Sequence, residues 1–260
     1  MPIVGLHVID DGTRETGMNE AETESETRRT IGDRTQAPPP GAARYDGFAD
    51  WYEEFNTPGV AANAAVISGL LGPGEGRCLD LGCGTGLYFD AVRATGRIPF
   101  GVDRSADQLR FARERGLCVQ GDAAAIPFAD HAFRTVLMVW ISTDVDDLAA
   151  VVREAVRVLR PGGRAVFLGA HPCFMGPHIE YREDGGRLIH PTYRLAAWHP
   201  RQPWWTGGAG LRNRVGMRHV PLAEFLHAFL DAGLTVERVV EPEPHRAVPG
   251  ALGLRLALPR

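Results

Sequence analysis

Cys78-Leu79-Asp80-Leu81-Gly82-Cys83-Gly84-Thr85-Gly86 is the stretch whose reading decides the fold. An apolar segment runs into three glycines at alternate positions, with an acid just before the first. Glycine has no Cβ, so the backbone can turn sharply there and approach a ligand closely. The next helix starts near Leu87, which brings its free N–H groups to the same mouth. A dinucleotide fold uses a similar loop, so the glycines alone do not separate the two. Two details do. The third glycine follows the second by two residues instead of three, and Asp80 stands where a pyrophosphate would be repelled. A carboxylate in that position suits a ligand with ammonium or sulfonium character, which points to S-adenosylmethionine.

Outward from this loop, strand and helix signals alternate. Tyr88–Ala94 reads as the crossover helix and Ile98–Val102 as a second strand. A helix through Gln108, Leu109 and Phe111 stops at Gly116, and Leu117–Gln120 is a third strand. Thr135–Trp140 is a fourth strand. Leu148, Val151, Val152, Ala155 and Leu159 recur at helical spacing, Pro161-Gly162-Gly163 stops that helix, and Ala165–Leu168 is a fifth strand. Residues 171–220 break the rhythm with aromatics, histidines, glycines and prolines. After them Leu222, Phe225, Leu226, Phe229 and Leu230 mark a helix, and Leu234–Val240 and Leu252–Leu258 are two final strands. Such alternation implies an α/β fold with a doubly wound parallel sheet.

Upstream of the loop, Phe48, Trp51, Tyr52 and Phe55 share one face of a short helix over 46–56, followed by a helix over 60–71. Residues 1–43, rich in Glu, Thr and Arg and closed by Pro38-Pro39-Pro40-Gly41, read as a disordered tail, with Met18 an alternative start. The expected organisation is therefore a tail over 1–43 and one domain over 44–260, carrying a substrate lid at 171–220.

The chain has 260 residues and a formal net charge of −4, enough for one large core and without the basic face of a nucleic-acid binder. Every strong cation is arginine. The four cysteines (Cys78, Cys83, Cys118, Cys173) lack paired spacing and read as reduced thiols, not as a disulfide framework. No apolar run reaches membrane-spanning length and no basic-then-apolar leader is visible. The expectation is a cytoplasmic protein without a membrane partner, as a monomer or homodimer.

Ligands of open α/β sheets sit beyond the carboxyl ends of the strands. Asp80 and the glycine loop end strand one. Asp103 ends strand two, where an acid can accept two hydrogen bonds from a ribose diol. Gly121-Asp122-Ala123 ends strand three, where an adenine edge can be met. Together with Ile126-Pro127-Phe128 and Arg157-Val158-Leu159-Arg160-Pro161-Gly162-Gly163, these motifs make the chain similar to the class I S-adenosylmethionine-dependent methyltransferases. The resemblance is nearest to their quinone-biosynthesis and small-molecule branch and spans residues 45–258. It implies a Rossmann-like seven-stranded sheet with the last strand antiparallel, and an N-terminal helical cap. It also implies S-adenosylmethionine as cofactor, held by Tyr45, Tyr52, Asp80, Gly82, Cys83, Gly84, Gly86, Asp103, Arg104, Gly121, Asp122, Ala123 and Trp140. One departure is Arg134, where the family usually carries an acid.

Methyl transfer from a sulfonium is an in-line displacement that asks chiefly for alignment, and a base helps only where the acceptor must lose a proton. His171, just past strand five, is the first candidate base, with His178 and His219 behind it. Structural roles for these histidines remain equally open, and the spacing of His171, Cys173, His178 and Glu180 fits no common zinc pattern. Ser142 and Asp144, past strand four, and Tyr181, Tyr193, Trp198, Trp204 and Trp205 in the lid are the substrate candidates; Asp144 could equally cap the next helix. The expected activity is methylation of a small, aromatic-containing secondary metabolite at oxygen, or at nitrogen or carbon. The alternatives are an S-adenosylmethionine-binding catalyst that does not methylate and, disfavoured by the loop, a nicotinamide-dependent oxidoreductase.

Overall fold

The structure is a computed structural model and describes residues 43–204, 211–243 and 246–260. The tail expected over 1–43 falls outside it except for Ala43, as does Trp205. Helix α1 (Ala49–Asn56) and helix α2 (Val60–Leu71) are joined by a single 3₁₀ turn over Thr57–Gly59. The sheet then follows as β1 (Arg77–Leu81), β2 (Ile98–Asp103), β3 (Leu117–Gln120), β4 (Phe133–Val139), β5 (Leu159–Ala170), β10 (Thr235–Val240) and β11 (Ala251–Ala257). Helices α3 (Phe89–Ala94), α4 (Ala106–Arg115), α5 (Leu148–Val158) and α7 (Leu222–Leu230) connect these strands.

The spatial order is β10-β11-β5-β4-β1-β2-β3. Strands β1 to β5 pair in parallel, and β11 runs antiparallel to both β5 and β10. The seven strands and the reversed last one agree with the expectation from sequence. The order turns back between β1 and β4, which is the switch point where ligands of such sheets bind.

Alternation along each strand divides the core between the two faces. Leu79 and Leu81 of β1 join Val136, Met138 and Phe167 against α5 and α7, where Val151, Val152, Phe225 and Phe229 are buried. Cys78 faces the other way, with Leu137, Val166 and Leu168, onto Ile67, Leu70 and Leu71 of α2 and Val92 of α3. Asp80 shares the face of Cys78 by the same period of two. All four cysteines are free, as read from the sequence.

Several boundaries differ from expectation, among them the start of α1, at Ala49 and not 46. Helix α5 ends at Val158, and Leu159 is already extended (φ −73°, ψ 140°), so the chain enters β5 before the Pro161-Gly162-Gly163 run. That run is therefore not the helix stop but an irregularity inside β5: the partner of Phe133 is Leu159 and that of Thr135 is Arg164. Pro161 disfavours helix at Arg160, which explains why the helix closes early. Strand β4 also begins two residues earlier than expected, at Phe133, a buried ring packed edge-on against Phe100 and Phe128.

The insertion between β5 and α7 builds a small subdomain. It holds the hairpin β6 (Ile179–Tyr181) and β7 (Arg187–Ile189), the pair β8 (Trp198–His199) and β9 (Met217–Arg218), and the short helix α6 (Leu211–Val215). Helix α6 packs Leu211 and Val215 against Phe48, Tyr45, Trp51, Tyr52 and Phe55 of the N-terminal segment. The two coverings thus meet each other as well as the sheet.

Candidate active site

The loop after β1 is shaped by its glycines. Gly82, Gly84 and Gly86 all have positive φ (75°, 54° and 77°), which a side chain would strain. A Cβ on Gly82 would stand 2.8 Å from Ile141 Cδ1. Gly84 presents its N–H to Asp103 Oδ2 at 2.8 Å, and Ser105 N–H meets the other oxygen at 2.9 Å. These two backbone donors fix the Asp103 carboxylate at the end of β2. Ser105 also caps α4 by accepting from Gln108 N–H at 3.1 Å.

The cavity at the carboxyl ends of β1 to β4 has three walls. Its floor is Gly82, Gly84, Val102, Asp103, Arg104, Gly121, Asp122 and Ala123; the loop past β4 adds Trp140, Ile141, Asp144 and Val145. Its roof is Tyr45, Tyr52, Phe55 and Asn63 from the N-terminal segment and α2, with Met175, Leu211 and Arg212 from the insertion. The empty space, including the open mouth, is about 1370 Å³.

The ionisable groups here are strongly shaped by burial. Asp80 is 1% exposed and neither of its oxygens has a partner. Burial, with the nearby Asp103 charge adding, pushes its carboxyl up to about 7. Burial also raises Asp103, against the pull of its two backbone donors. The Tyr45 and Tyr52 phenols are pushed well up by burial, so both stay protonated. Arg104 answers Asp122 at 2.5 Å, and Ala124 N–H holds the other Asp122 oxygen at 2.9 Å.

Of the residues read from sequence as cofactor contacts, Tyr45, Tyr52, Gly82, Gly84, Asp103, Arg104, Gly121, Asp122, Ala123 and Trp140 line this cavity. Asp80, Cys83 and Gly86 are not on its surface. Cys83 points at the neighbouring strand, since a Cβ on Gly101 would lie 2.5 Å from its Sγ. Gly86 allows α4 to approach, since its own Cβ would be 3.2 Å from Ala112 Cα. Arg134 lies on the second residue of β4 beside the exposed Glu75, away from the cavity.

The histidines and lid aromatics expected in catalysis and substrate binding are placed as follows. His171 is buried with Nε2 3.1 Å from Glu241 and Nδ1 accepting from Cys173 N–H, outside the cavity. The His178 and His219 rings lie against each other, tilted by 47° with 4.2 Å between centroids, inside the insertion. Their Nε2 atoms donate to the carbonyls of Cys173 and Tyr193. Burial lowers all three, His219 to about 4. None of the three lines the cavity, so none is placed to take a proton there.

The described aromatic residues of the insertion do not line the cavity. Trp204 stacks on His190 at 3.6 Å and donates to Pro177 O. Tyr193 reaches Leu222 N–H, Trp198 lies under Arg44, and Tyr181 is half exposed on β6. Ser142 is buried in the 3₁₀ turn over Ile141–Thr143 and does not line the cavity, whereas Asp144 does. Asp147, and not Asp144, caps α5 by accepting from Ala150 N–H.

Several lining residues had no part in the sequence assignment: Arg44, Phe55, Asn63, Gln108 and Met175; Arg212, one of the lid arginines that could pair an acidic substrate group, also lines the cavity. Gln108 carried a readable signal, a polar side chain on the helix face shared with Leu109 and Ala112. It is 2% exposed, with neither amide atom partnered. No group of three or more metal-ligating side chains converges among the described residues. No described helix is long and apolar enough to cross a membrane.

Comparison with known proteins agrees with this geometry. Residues 79–167 match a family model described as a methyltransferase domain. Demethylmenaquinone methyltransferase of Mycobacterium marinum is 36% identical over 132 residues, 48% of this chain and 57% of that protein. Ubiquinone/menaquinone biosynthesis C-methyltransferase of Desulfotalea psychrophila is 38% identical over 118 residues, 41% of this chain and 46% of that one. The chain spans about half the length of the curated relatives it matches. Among solved structures, an S-adenosylmethionine dependent methyltransferase from Mesorhizobium loti superposes with a TM-score of 0.62 at 24% identity, over 76% of this chain and all of that one. The [4+2]-cyclase SpnF superposes with a TM-score of 0.60 at 16% identity, over 87% of this chain and 99% of that one. The shared fold is that of the S-adenosylmethionine-dependent methyltransferases.

Proposed function

We propose, from a chain whose residues 79–167 form a methyltransferase domain, that the protein transfers a methyl group from S-adenosylmethionine to a small aromatic acceptor. The observation that carries this reading is the cavity floor. Three successive strand ends deliver a bare glycine loop, a pinned carboxylate at Asp103 and the Gly121-Asp122-Ala123 turn to one cavity. The residues present fit the cofactor. Asp80 is a buried carboxylate beneath the loop and off the cavity surface, so its charge would favour a cationic ligand across the loop and not by direct contact. Asp103 keeps a free lone pair on each oxygen, enough for two vicinal hydroxyls. Backbone groups and Asp122 at the end of β3 would meet the adenine edge.

When bound, the cofactor supplies a methyl group on an already activated sulfonium. The chain then contributes alignment, whose worth in oriented reactions is about 7–11 kcal/mol. Trp140, Phe55, Val145, Met175 and Leu211 offer flat and apolar surfaces for a ring-bearing acceptor. Tyr45 and Tyr52 cover the site and exclude water. With no histidine on the cavity wall among the described residues, catalysis rests on positioning, and the methylated atom is oxygen, nitrogen or carbon of an acceptor that loses its proton readily. The quinone-biosynthesis names of the curated relatives support an aromatic or quinol acceptor.

The test is incubation of the full chain with methyl-labelled cofactor and a panel of phenols, aromatic amines and quinols. Label in any acceptor supports the reading. Cofactor that binds and is never consumed would favour the non-methylating catalyst.

A further inference from the structure

One carboxylate joins both coverings of the cavity. Asp144 Oδ1 accepts from Tyr45 OH at 2.9 Å and from Arg212 Nη1 at 2.9 Å. Its Oδ2 accepts from Thr143 Oγ at 3.0 Å, and that same oxygen of Thr143 accepts from Arg212 Nη2 at 2.8 Å. The Asp144 carbonyl takes a further hydrogen bond from Arg44. Tyr45 and Arg44 belong to the N-terminal segment, Arg212 to α6 of the insertion, and Asp144 to the loop past β4. Those three elements are distant in sequence; Arg44 also pairs with Asp146 past β4 and lies over the Trp198 ring of the insertion at 3.9 Å.

The electrostatics suit a lock. The side chains of Asp144 and Arg212 are both largely buried, at 18% and 11% exposure. Burial opposes charge on Arg212, but Asp144 outweighs it and holds the guanidinium firmly protonated. A pair this secluded is little screened by salt, and removing one member leaves the other uncompensated. The aromatic contacts of Phe48, Tyr45 and Tyr52 with Leu211 and Val215 close the same seam without directional preference. Direction comes from Asp144.

We infer that Asp144 is a positioning residue that locks the N-terminal segment and the insertion over the cavity, so that this carboxylate governs passage of the cofactor. The inference rests on the cofactor assignment above. It replaces the substrate contact expected for Asp144 from sequence, because its oxygens are already engaged by three donors. The locking contacts are made by the chain's own residues, so they must part for entry as for exit. Loss of the lock therefore accelerates both directions, whereas loss of an ordinary ligand contact accelerates release alone.

The experiment uses the full chain and radiolabelled S-adenosylhomocysteine, measuring association, and release under a chase of unlabelled ligand. Asp144→Ala is expected to speed both rates by about tenfold, the loss of roughly one charge-assisted hydrogen bond, while Kd moves much less than either rate. Asp144→Asn keeps an oxygen acceptor in place and is expected to restore part of the slow exchange. Tyr45→Phe and Arg212→Gln are each expected to speed exchange alone and to add nothing in the Asp144→Ala background, since both act through that carboxylate. Unchanged rates in a folded Asp144→Ala protein would overturn the lock, as would exchange in Asp144→Asn no slower than in Asp144→Ala, a rise in release matched by Kd, or additive effects of the Tyr45 and Arg212 variants. Wild-type protein that does not bind S-adenosylhomocysteine at all would instead remove the cofactor assignment beneath it.

Discussion

Asp80→Asn should make the empty protein more stable at pH 8 and a poorer binder of cofactor. The Asp80 carboxyl is buried without a partner and titrates at about 7, against an ordinary value of 3.8. The difference is about 3 units, and at roughly 1.4 kcal/mol per unit the ionised form costs about 4 kcal/mol in the empty site. The sign follows from proton counting. Between pH 4 and 7 the folded protein holds a proton on Asp80 that the unfolded chain has released, so this group's contribution is full below about 4 and is lost as pH rises through about 7. An asparagine never ionises but leaves its own buried amide unpaired, a cost of about 1–3 kcal/mol. The expected net gain at pH 8 is therefore about 1–3 kcal/mol, shrinking as pH falls through 7 towards 4, where the unfolded chain also keeps its Asp80 proton. Cofactor binding should move the other way, since a nearby ionised carboxylate attracts a cationic ligand across the loop and its loss should raise Kd. Urea unfolding of both proteins at pH 5 and pH 8, with calorimetric titration of S-adenosylhomocysteine, reads both effects. A variant less stable at pH 8, or one with unchanged affinity, would refute the reasoning.

Other outcomes follow from the same structure. Asp103→Ala deletes the pinned carboxylate and should weaken S-adenosylhomocysteine by at least about 1.5 kcal/mol, read by calorimetry. His171→Ala should leave that affinity unchanged but lower stability by about 1–3 kcal/mol, because it strands Cys173 N–H; a large loss of affinity would return His171 to the site. Gly86→Ala places a Cβ 3.2 Å from Ala112 Cα at a φ of 77°, so urea unfolding should show a loss of about 2–4 kcal/mol. His219, lowered by burial to about 4, is neutral in the folded state while the unfolded chain takes up a proton near 6.5; stability it contributes above 6.5 is lost as pH falls to about 4, and His219→Asn should flatten that limb of the melting profile.

The strand ends were legible because their chemistry is local. Gly82 and Gly84 need positive φ, Asp103 is pinned by Gly84 and Ser105 close by in the same βαβ unit, and Ser105 caps its helix three residues on. Periodicity likewise placed β1, β2 and β3 to within a residue, since each is a short apolar run between turn signals. The insertion was not legible in the same way. The role of His171 is set by Glu241, seventy residues away in sequence, and that of Trp198 by Arg44, which reaches over its ring. Histidine and tryptophan suit both packing and binding, so residue type alone did not separate the two. Arg212 and Met175 reach the cavity only through the path of the insertion, for which neither period nor spacing gives a signal. The helix boundary at Val158 shifted because Pro161 acts on the residue before it, not only at its own position.

The most direct measurement is calorimetric titration of the purified full chain with S-adenosylmethionine, S-adenosylhomocysteine and a nicotinamide dinucleotide side by side. The account predicts one equivalent of either adenosyl compound per chain and no heat from the dinucleotide. Silence with both adenosyl compounds, or equal binding of the dinucleotide, would contradict it.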